Sequence, residues 1–487
     1  MSHSPSPIIQ IETGIPGLDE LLRGGYVKDR MYLLVGGPGT GKTTLGLHFL
    51  EQGLSNDETV LMIHGEETPE EITVNADQFG IELEGAEFLD LGPDSDFFTD
   101  NLRYDLVNPA DIQEEQYTTE IHEAIESIDP TRIVIDPITQ LRHFESTEYY
   151  YRKRILSFMR FLKKRGVTVL ATATADSSQR NYGAEIRSLS DGVIKVSREG
   201  GGRRVEVQKN RGIGQVDDTH ALEIRSSGVE IFPKVYPRET TGSFVFEQIS
   251  SGIEGIDTLV NGGFERGTVT FISGPPGVGK TTISTLFLTE AAKTIGKSVI
   301  YLFEERLGTF TYRCDALGIP VEKLQDEGVL SIEVIEPQEY SSEEFAHNVR
   351  SAVEEKEAET VMIDGIGGYA SSIKGVDADL EDELHLLTRY LVNQNVTVFV
   401  TDAIHQMTGL KTATSREISP IADNLMFLGY VEIGGALRKV IGVLKKRAGT
   451  FEYTLREFEI DSDGVVVGEP MSDYQGLLEG VATHTTQ

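Results

Sequence analysis

The sequence predicts an α/β protein made of two similar halves, each a mostly parallel β-sheet flanked by helices. Three observations carry that expectation. A Gly-rich, phosphate-gripping run occurs twice, as Gly36-Gly37-Pro38-Gly39-Thr40-Gly41-Lys42-Thr43 and as Gly274-Pro275-Pro276-Gly277-Val278-Gly279-Lys280-Thr281, 238 positions apart. The repeat is wider than the motif: Thr13-Gly14-Ile15-Pro16-Gly17-Leu18-Asp19 is echoed by Ser251-Gly252-Ile253-Glu254-Gly255-Ile256-Asp257, and Gly24-Gly25 by Gly262-Gly263, at the same offset. A whole domain is therefore duplicated. In both halves, apolar runs of strand length alternate with stretches of helical period.

In the first half the strands are expected at Met31 to Val35, Val60 to His64, Ile133 to Ile135, Val167 to Thr172 and Gly192 to Val196. Between them Pro69 to Phe79 and Tyr151 to Lys164 have the periodicity of helices. The second half repeats the pattern with Val299 to Phe303, Val361 to Ile363 and Val396 to Val400. These runs are apolar throughout, as strands covered on both faces are. A chain of 487 residues accommodates two domains of about 200 to 240 residues, each with its own core. The boundary is expected at Pro233-Lys234-Val235-Tyr236-Pro237. That gives a disordered N-terminus over 1–10, a first domain over 11–235, a second over 236–470 and a flexible tail over 471–487.

Asp and Glu number 78 against 44 Lys and Arg, a formal charge of −34, and Arg is favoured over Lys. Charge of this size, spread along the chain, points to a protein adapted to molar salt, where repulsion is screened within a few ångströms; an ordinary acidic enzyme is the alternative. The basic footprint of a nucleic-acid binder is missing. The single cysteine, Cys314, excludes an internal disulfide framework and reads as a small buried hydrophobe in a reducing compartment. No apolar run approaches membrane-spanning length and the start is polar rather than a signal peptide, so the expected location is cytoplasmic.

Each phosphate loop follows an apolar run and precedes a helix-like stretch, the context its chemistry needs. The glycines let backbone N–H groups turn toward phosphates, and the N-terminus of the helix, entered through Thr44 or Thr282, adds its positive dipole end. Lys42 and Lys280 would reach the terminal phosphates of ATP, and Thr43 and Thr281 would hold magnesium. An aspartate closes a buried run in each half, Asp136 after Ile133-Val134-Ile135 and Asp364 after Val361-Met362-Ile363, placed to orient the same ion. Ligands of such sheets bind beyond the carboxyl ends of the strands.

Two further features recur. Glu66-Glu67 and Glu304-Glu305 end the strand after each loop and helix, again 238 positions apart, and are the candidates for activating the attacking water. Neighbouring side chains on a strand face opposite ways, so one of each pair is expected at the nucleotide; if the strand has already ended, both could line the site. Late in each half, Val205-Glu206-Val207-Gln208-Lys209-Asn210-Arg211 and Ile441-Gly442-Val443-Leu444-Lys445-Lys446-Arg447 end in cations. The i, i+2 spacing puts Lys209 and Arg211, and Lys445 and Arg447, on the face of the preceding valines. An apolar face that runs into two charges suits a strand tip projecting against the nucleotide phosphates of a neighbouring subunit, in a head-to-tail ring.

Taken together, the loops, the Gly-Ile-x-Gly-Ile/Leu-Asp lead-in, the paired glutamates, the strand-end aspartates and the Lys-x-Arg endings resemble the KaiC family, double-domain RecA-like P-loop ATPases of the circadian clock and their archaeal relatives. The resemblance runs from about Gly14 to Phe458, and with the acidic composition it is nearest to a haloarchaeal member. It implies a homohexamer with ATP and magnesium between subunits, hydrolysis mainly in the first domain through Glu66 and Glu67, and serine/threonine autokinase activity in the second through Glu304 and Glu305. Lys209, Arg211, Lys445 and Arg447 then touch the neighbour's nucleotide. The acceptor segment departs from the family: its adjacent Ser-Thr pair aligns with Ser419-Pro420, and proline has no hydroxyl. Thr414 and Ser415 nearby retain theirs, while Arg187 stands opposite Ser419 in the first half. Two other classes stay open: an assembly regulator with little catalysis that recruits signalling or transcription partners, and a DNA-handling ATPase, for which no basic, aromatic-interleaved loop is found.

Overall fold

The computed structural model describes residues 8–92, 121–139, 148–174, 182–237, 247–372, 380–404, 414, 420–461, 464–479 and 483–484. The chain divides into two compact units, Met1–Lys234 and Val235–Gln487.

The first unit is built on nine strands: β1 (Met31–Gly36), β2 (Val60–His64), β3 (Glu87–Asp90), β4 (Arg132–Asp136), β5 (Thr168–Thr174), β6 (Gly192–Glu199), β7 (Gly202–Asn210), β8 (His220–Arg225) and β9 (Gly228–Phe232). Their order across the sheet is β3-β2-β4-β5-β1-β6-β7-β8-β9. From β3 to β6 every pairing is parallel, and β7 to β9 extend the sheet as an antiparallel ribbon. Crossovers through helices leave both faces of the parallel part covered. Along β1 the pleat alternates accordingly: Tyr32 and Leu34 enter one core with Phe49 and Leu170, while Met31, Leu33 and Val35 enter the other with Phe158 and Leu162. Helix α1 (Lys42–Ser55) follows β1 directly, α2 (Pro69–Gln78) follows β2, α3 (Glu148–Lys164) precedes β5, and α4 (Tyr182–Leu189) precedes β6.

The second unit repeats the plan with β10 (Val269–Gly274), β11 (Lys297–Leu302), β12 (Leu330–Val334), β13 (Ala358–Asp364), β14 (Thr397–Ala403), β15 (Asn424–Ile433), β16 (Ala436–Lys446), β17 (Arg456–Asp461) and β18 (Gly464–Pro470). The order β12-β11-β13-β14-β10-β15-β16-β17-β18 is that of the first sheet, strand for strand. Helices α5 (Lys280–Thr294) and α6 (Leu307–Ala316) stand where α1 and α2 do in the first unit. The expected α/β architecture, two mostly parallel sheets flanked by helices, is the one observed. Cys314 lies in a core of the second unit with Phe310 and Leu324, and burial pushes its thiol up to about 12. Among the described residues no helix is long and apolar enough to cross a membrane.

Two expectations about the chain ends need correction. Gln10 is not part of a disordered leader: Gln10–Ile11 pairs with Tyr26–Val27, and the Gln10 amide donates to the carbonyls of Arg23 and Gly25. Residues 1–7 lie outside the described residues. Residues 471–479 are not a free tail either. Met471 and Leu477 are buried with Phe427, Val431 and Val440, and Tyr474–Gln475 pairs with Thr483–His484. The apolar anchors of this stretch are too widely spaced to register as a period, so the sequence read it as flexible.

Candidate nucleotide sites

Both phosphate loops sit between the carboxyl end of a strand and the start of a helix, as their sequence context requires. Gly39 and Gly41 have φ of +67° and +101°, and Gly277 and Gly279 have +76° and +119°. These left-handed conformations turn successive N–H groups inward and favour glycine over residues with a β-carbon. A β-carbon on Gly36 would come within 2.5 Å of the Val196 carbonyl oxygen, and one on Gly274 within 2.4 Å of that of Leu428. Each lysine bends back over its own loop: Lys42 Nζ donates to the Gly37 carbonyl at 2.9 Å, and Lys280 Nζ to that of Pro275 at 3.1 Å. Burial lowers the pKa of both amines. It is opposed by Asp136 and Glu66 at Lys42, and by Asp364, Glu304 and Asp402 at Lys280.

Next to each lysine a hydroxyl meets the strand-end aspartate. Thr43 Oγ1 donates to Asp136 Oδ2 at 2.6 Å, and Thr281 Oγ1 lies 2.9 and 3.1 Å from the two oxygens of Asp364. A second hydroxyl, absent from the sequence expectations, completes each set. Thr172 on β5 donates to Asp136, and Thr401 on β14 donates to Asp364 at 2.8 Å. The signal available was positional: each threonine lies near the carboxyl end of the strand that neighbours the aspartate strand. Burial pushes the Asp364 carboxyl up to about 6, against the hydrogen bonds from Thr401 and Thr281 and the charge of Arg313, with Glu304 adding to the rise. Among the described residues the side chains that bond each aspartate are hydroxyls, a set of hard oxygen donors that fits magnesium, which needs few protein ligands beside phosphate oxygens.

The glutamate pairs lie just past the ends of β2 and β11, and one member of each turns toward the site. Glu66 and Glu304 bear electrostatically on Lys42 and Lys280, whereas Glu67 and Glu305 are held by the helix that follows. Glu67 accepts from Asn75 Nδ2 at 3.2 Å. Glu305 pairs with Arg313 at 2.9 Å, and Arg313 occupies the second unit's equivalent of Asn75. The turn in the first unit is further pinned by His64, whose Nδ1 lies 2.8 Å from the Glu67 carbonyl oxygen. Since that oxygen only accepts, Nδ1 carries a proton. Leu302 takes this place in the second unit.

The cationic strand ends are not on the face expected for them. A β-bulge separates Val193 from Ile194 in the register of β6 with β7, so Val207 lies opposite Ile194 and Lys209 opposite Val193. Partners across a ladder share a face, and Ile194 and Val193 belong to the two different cores. The extra residue, Gln208, thus moves Lys209 to the face opposite Val205 and Val207. The same happens at Leu444, with Val443 opposite Met426 and Lys445 opposite Leu425. Lys209 Nζ then caps carbonyls at the end of α4, those of Arg187 in its last turn and Ser190 just beyond, at 3.1 and 2.6 Å. Arg211 and Arg447 pair with Asp191 and Asp423. All four cations lie by the amino ends of β1 and β10: Arg211 N–H donates to the Asp191 carbonyl and Asp191 N–H to that of Met31, with Arg447, Asp423 and Val269 linked in the same way. The loops begin at the other end of those strands, about 15 Å away at the rise of an extended chain. Of the acceptor candidates, Thr414 is half-buried, and Ser419 lies outside the described residues.

The family model described as the KaiC ATPase matches residues 11–236 and again 249–472. Among curated relatives, the circadian clock oscillator protein KaiC of Acaryochloris marina is 28% identical, over 98% of this chain and 92% of its own length. The proteins of that name from a Picosynechococcus and a Nostoc species are each 29% identical, over 97% and 99% of this chain and 92% and 93% of theirs.

Proposed function

The chain belongs to the KaiC ATPase family, and from that premise we propose that both halves bind ATP with magnesium and hydrolyse it, in a ring of six identical subunits. The observation that carries this reading is the pair of matching frames, Lys42–Thr43–Asp136–Thr172 and Lys280–Thr281–Asp364–Thr401, each at the mouth of a phosphate loop. In this reading the loop N–H groups, from Gly36 to Thr44 and from Gly274 to Thr282, wrap the phosphates, and the lysines release their carbonyls to reach the terminal ones. Thr43 and Asp136, and Thr281 and Asp364, would hold the magnesium, which when bound neutralises charge on the phosphate oxygens. Glu66 and Glu304 take a proton from the attacking oxygen as its bond to the terminal phosphorus forms and the bond to ADP breaks.

The strand-end cations support a subunit-bridging role. They lie at the opposite end of the sheet from their own loop, so the phosphates they meet would belong to another chain. On nucleotide arrival Lys209, Arg211, Lys445 and Arg447 would exchange their carbonyl and carboxylate partners for those phosphates. In the second half, the same base acting on a hydroxyl instead of water gives autophosphorylation, with Ser419 as acceptor and Thr414 the alternative.

Lys42→Ala and Lys280→Ala, singly and together, test the ATPase reading through phosphate release. Each single variant is expected to retain the turnover of the other site, and the double variant to lose turnover by at least about a thousandfold. Negligible turnover in the unaltered ring would instead favour an assembly regulator. Transfer of label from the terminal phosphate of ATP, lost in Ser419→Ala, tests the kinase step.

A further inference from the structure

We propose that Gly365, Gly367 and Gly368 form a cradle that positions Glu304 for catalysis at the second site, with Gly368 as the positioning residue. The inference rests on the reading of Glu304 as the base, and adds what fixes that base in place. Glu304 is exposed, and a free glutamate at such a position samples several rotamers. Here its Oε1 accepts the Gly368 N–H at 2.9 Å. That bond occupies one carboxylate oxygen and leaves Oε2 to take the proton.

The stem of the side chain is held as closely as its head. A β-carbon on Gly368 would come within 2.6 Å of Glu304 Cγ and 2.8 Å of Phe303 Cβ; one on Gly365 would come within 2.9 Å of Glu304 Cδ. Gly365 also has φ of +102°, in the region that favours glycine. At Gly367 the distance to Oε1 would be 3.4 Å. The glutamate therefore lies in a groove that a side chain at Gly365 or Gly368 would obstruct, with Gly367 at contact distance. The first half has Pro137, Thr139 and Gln140 at these positions, and Glu66 has no hydrogen bond to its carboxylate among the described residues. The three glycines that line the groove occur at these positions in the second half alone.

The test uses the full chain with Lys42→Ala silencing the first site, and measures phosphate release and the affinity of a fluorescent ATP analogue. Gly368→Ala is expected to lower kcat about 10- to 100-fold with affinity kept within about threefold, because the base is displaced while the loop is untouched. In a Glu304→Gln background the same change should cost under about threefold, since the cradle acts through that carboxylate. Losses that multiply in the double variant overturn the proposal. A Gly368→Ala protein with turnover within about twofold of its parent, while Glu304→Gln has lost it, overturns the cradle alone. Unchanged turnover in Glu304→Gln overturns the catalytic reading of Glu304 and the cradle with it. Should Gly368→Ala lose nucleotide affinity, Glu304→Asp reads the same contact without disturbing the glycines, being one methylene too short to reach Gly368. It is expected to lose kcat to a similar degree, and retention of more than about half of turnover overturns the proposal.

Discussion

In the first half Asn75 holds Glu67 through a hydrogen bond from an uncharged amide, and Glu66 carries no hydrogen bond to its carboxylate among the described residues. In the second, Arg313 holds Glu305 through an ion pair and Gly368 holds Glu304. Asp402, buried on β14, adds negative potential at Lys280, where the first half has Ala173. The sheets, loops and Lys–Thr–Asp–Thr frames have been kept through the duplication, while the parts that orient the glutamates have diverged. In the proposed reading, binding and chemistry would rest on different residues, so that the second could be tuned without loss of the first.

The largest expected effect separates the members of each glutamate pair. With the other site silenced at its lysine, Glu66→Gln and Glu304→Gln should each lower kcat about 10²- to 10⁴-fold at nearly unchanged nucleotide affinity. Glu67→Gln and Glu305→Gln, whose carboxylates face the following helix, should cost under about tenfold. Equal losses within a pair would mean that both carboxylates reach the nucleotide, and the comparison of how each is held would lose its basis.

A second difference lies below the sites. Lys446 and Glu265 form an ion pair with both side chains fully buried, and Lys446 Nζ also donates to the carbonyls of Val260 and Gly263 at 2.6 and 2.9 Å. The first half solves the same junction with neutral groups: Tyr32 O–H donates to Asn210 Oδ1 at 3.2 Å, and Asn210 Nδ2 donates to the carbonyls of Leu22 and Gly214. Lys446→Met would leave the Glu265 carboxylate buried without its cation, and should destabilise the second unit by about 3–5 kcal/mol. Asn210→Leu should cost the first unit about 1–3 kcal/mol, the penalty of unsatisfied neutral groups. Denaturant unfolding followed by probes in each unit reads both, and a smaller loss for Lys446→Met would show that the carboxylate takes up a proton at little cost.

Motifs that recur in register were legible in the sequence, because a phosphate loop or a strand-end aspartate is a local pattern with a fixed spacing. The glutamate turn was legible only as an alternative, since which carboxylate faces the lysine depends on Asn75 and Arg313, a helix away. The face of Lys209 and Lys445 was misread because a single inserted residue, Gln208 or Leu444, inverts the alternation without changing composition. Thr172 and Thr401 were missed for a related reason: they meet their aspartates across a sheet, through pairings that no run of residues records. The glycines at 365, 367 and 368 form no pattern that assigns them a role; the side chain lying against them does.

The smallest expected effect bears on the same glutamates through the helices that follow them. Thr68 opens α2 with a capping box: its Oγ1 accepts the Glu71 N–H at 3.3 Å, and Glu71 accepts the Thr68 N–H at 2.9 Å. Arg306, at the equivalent start of α6, makes no side-chain cap. Thr68→Ala should therefore destabilise the first unit by about 1 kcal/mol, while Arg306→Thr should stabilise the second by about 0.5–1 kcal/mol. A further gain is expected when Thr309→Glu completes the box. Because each cap directly follows a glutamate pair, it also limits how far the turn carrying the base can fray. The first half has no such glycines, so Thr68→Ala should lower turnover there beyond what its stability cost explains. Arg306→Thr should leave turnover at the second site unchanged, since Gly368 already fixes Glu304. An equal response of the two sites would mean that cap and cradle are not alternative ways of holding the base.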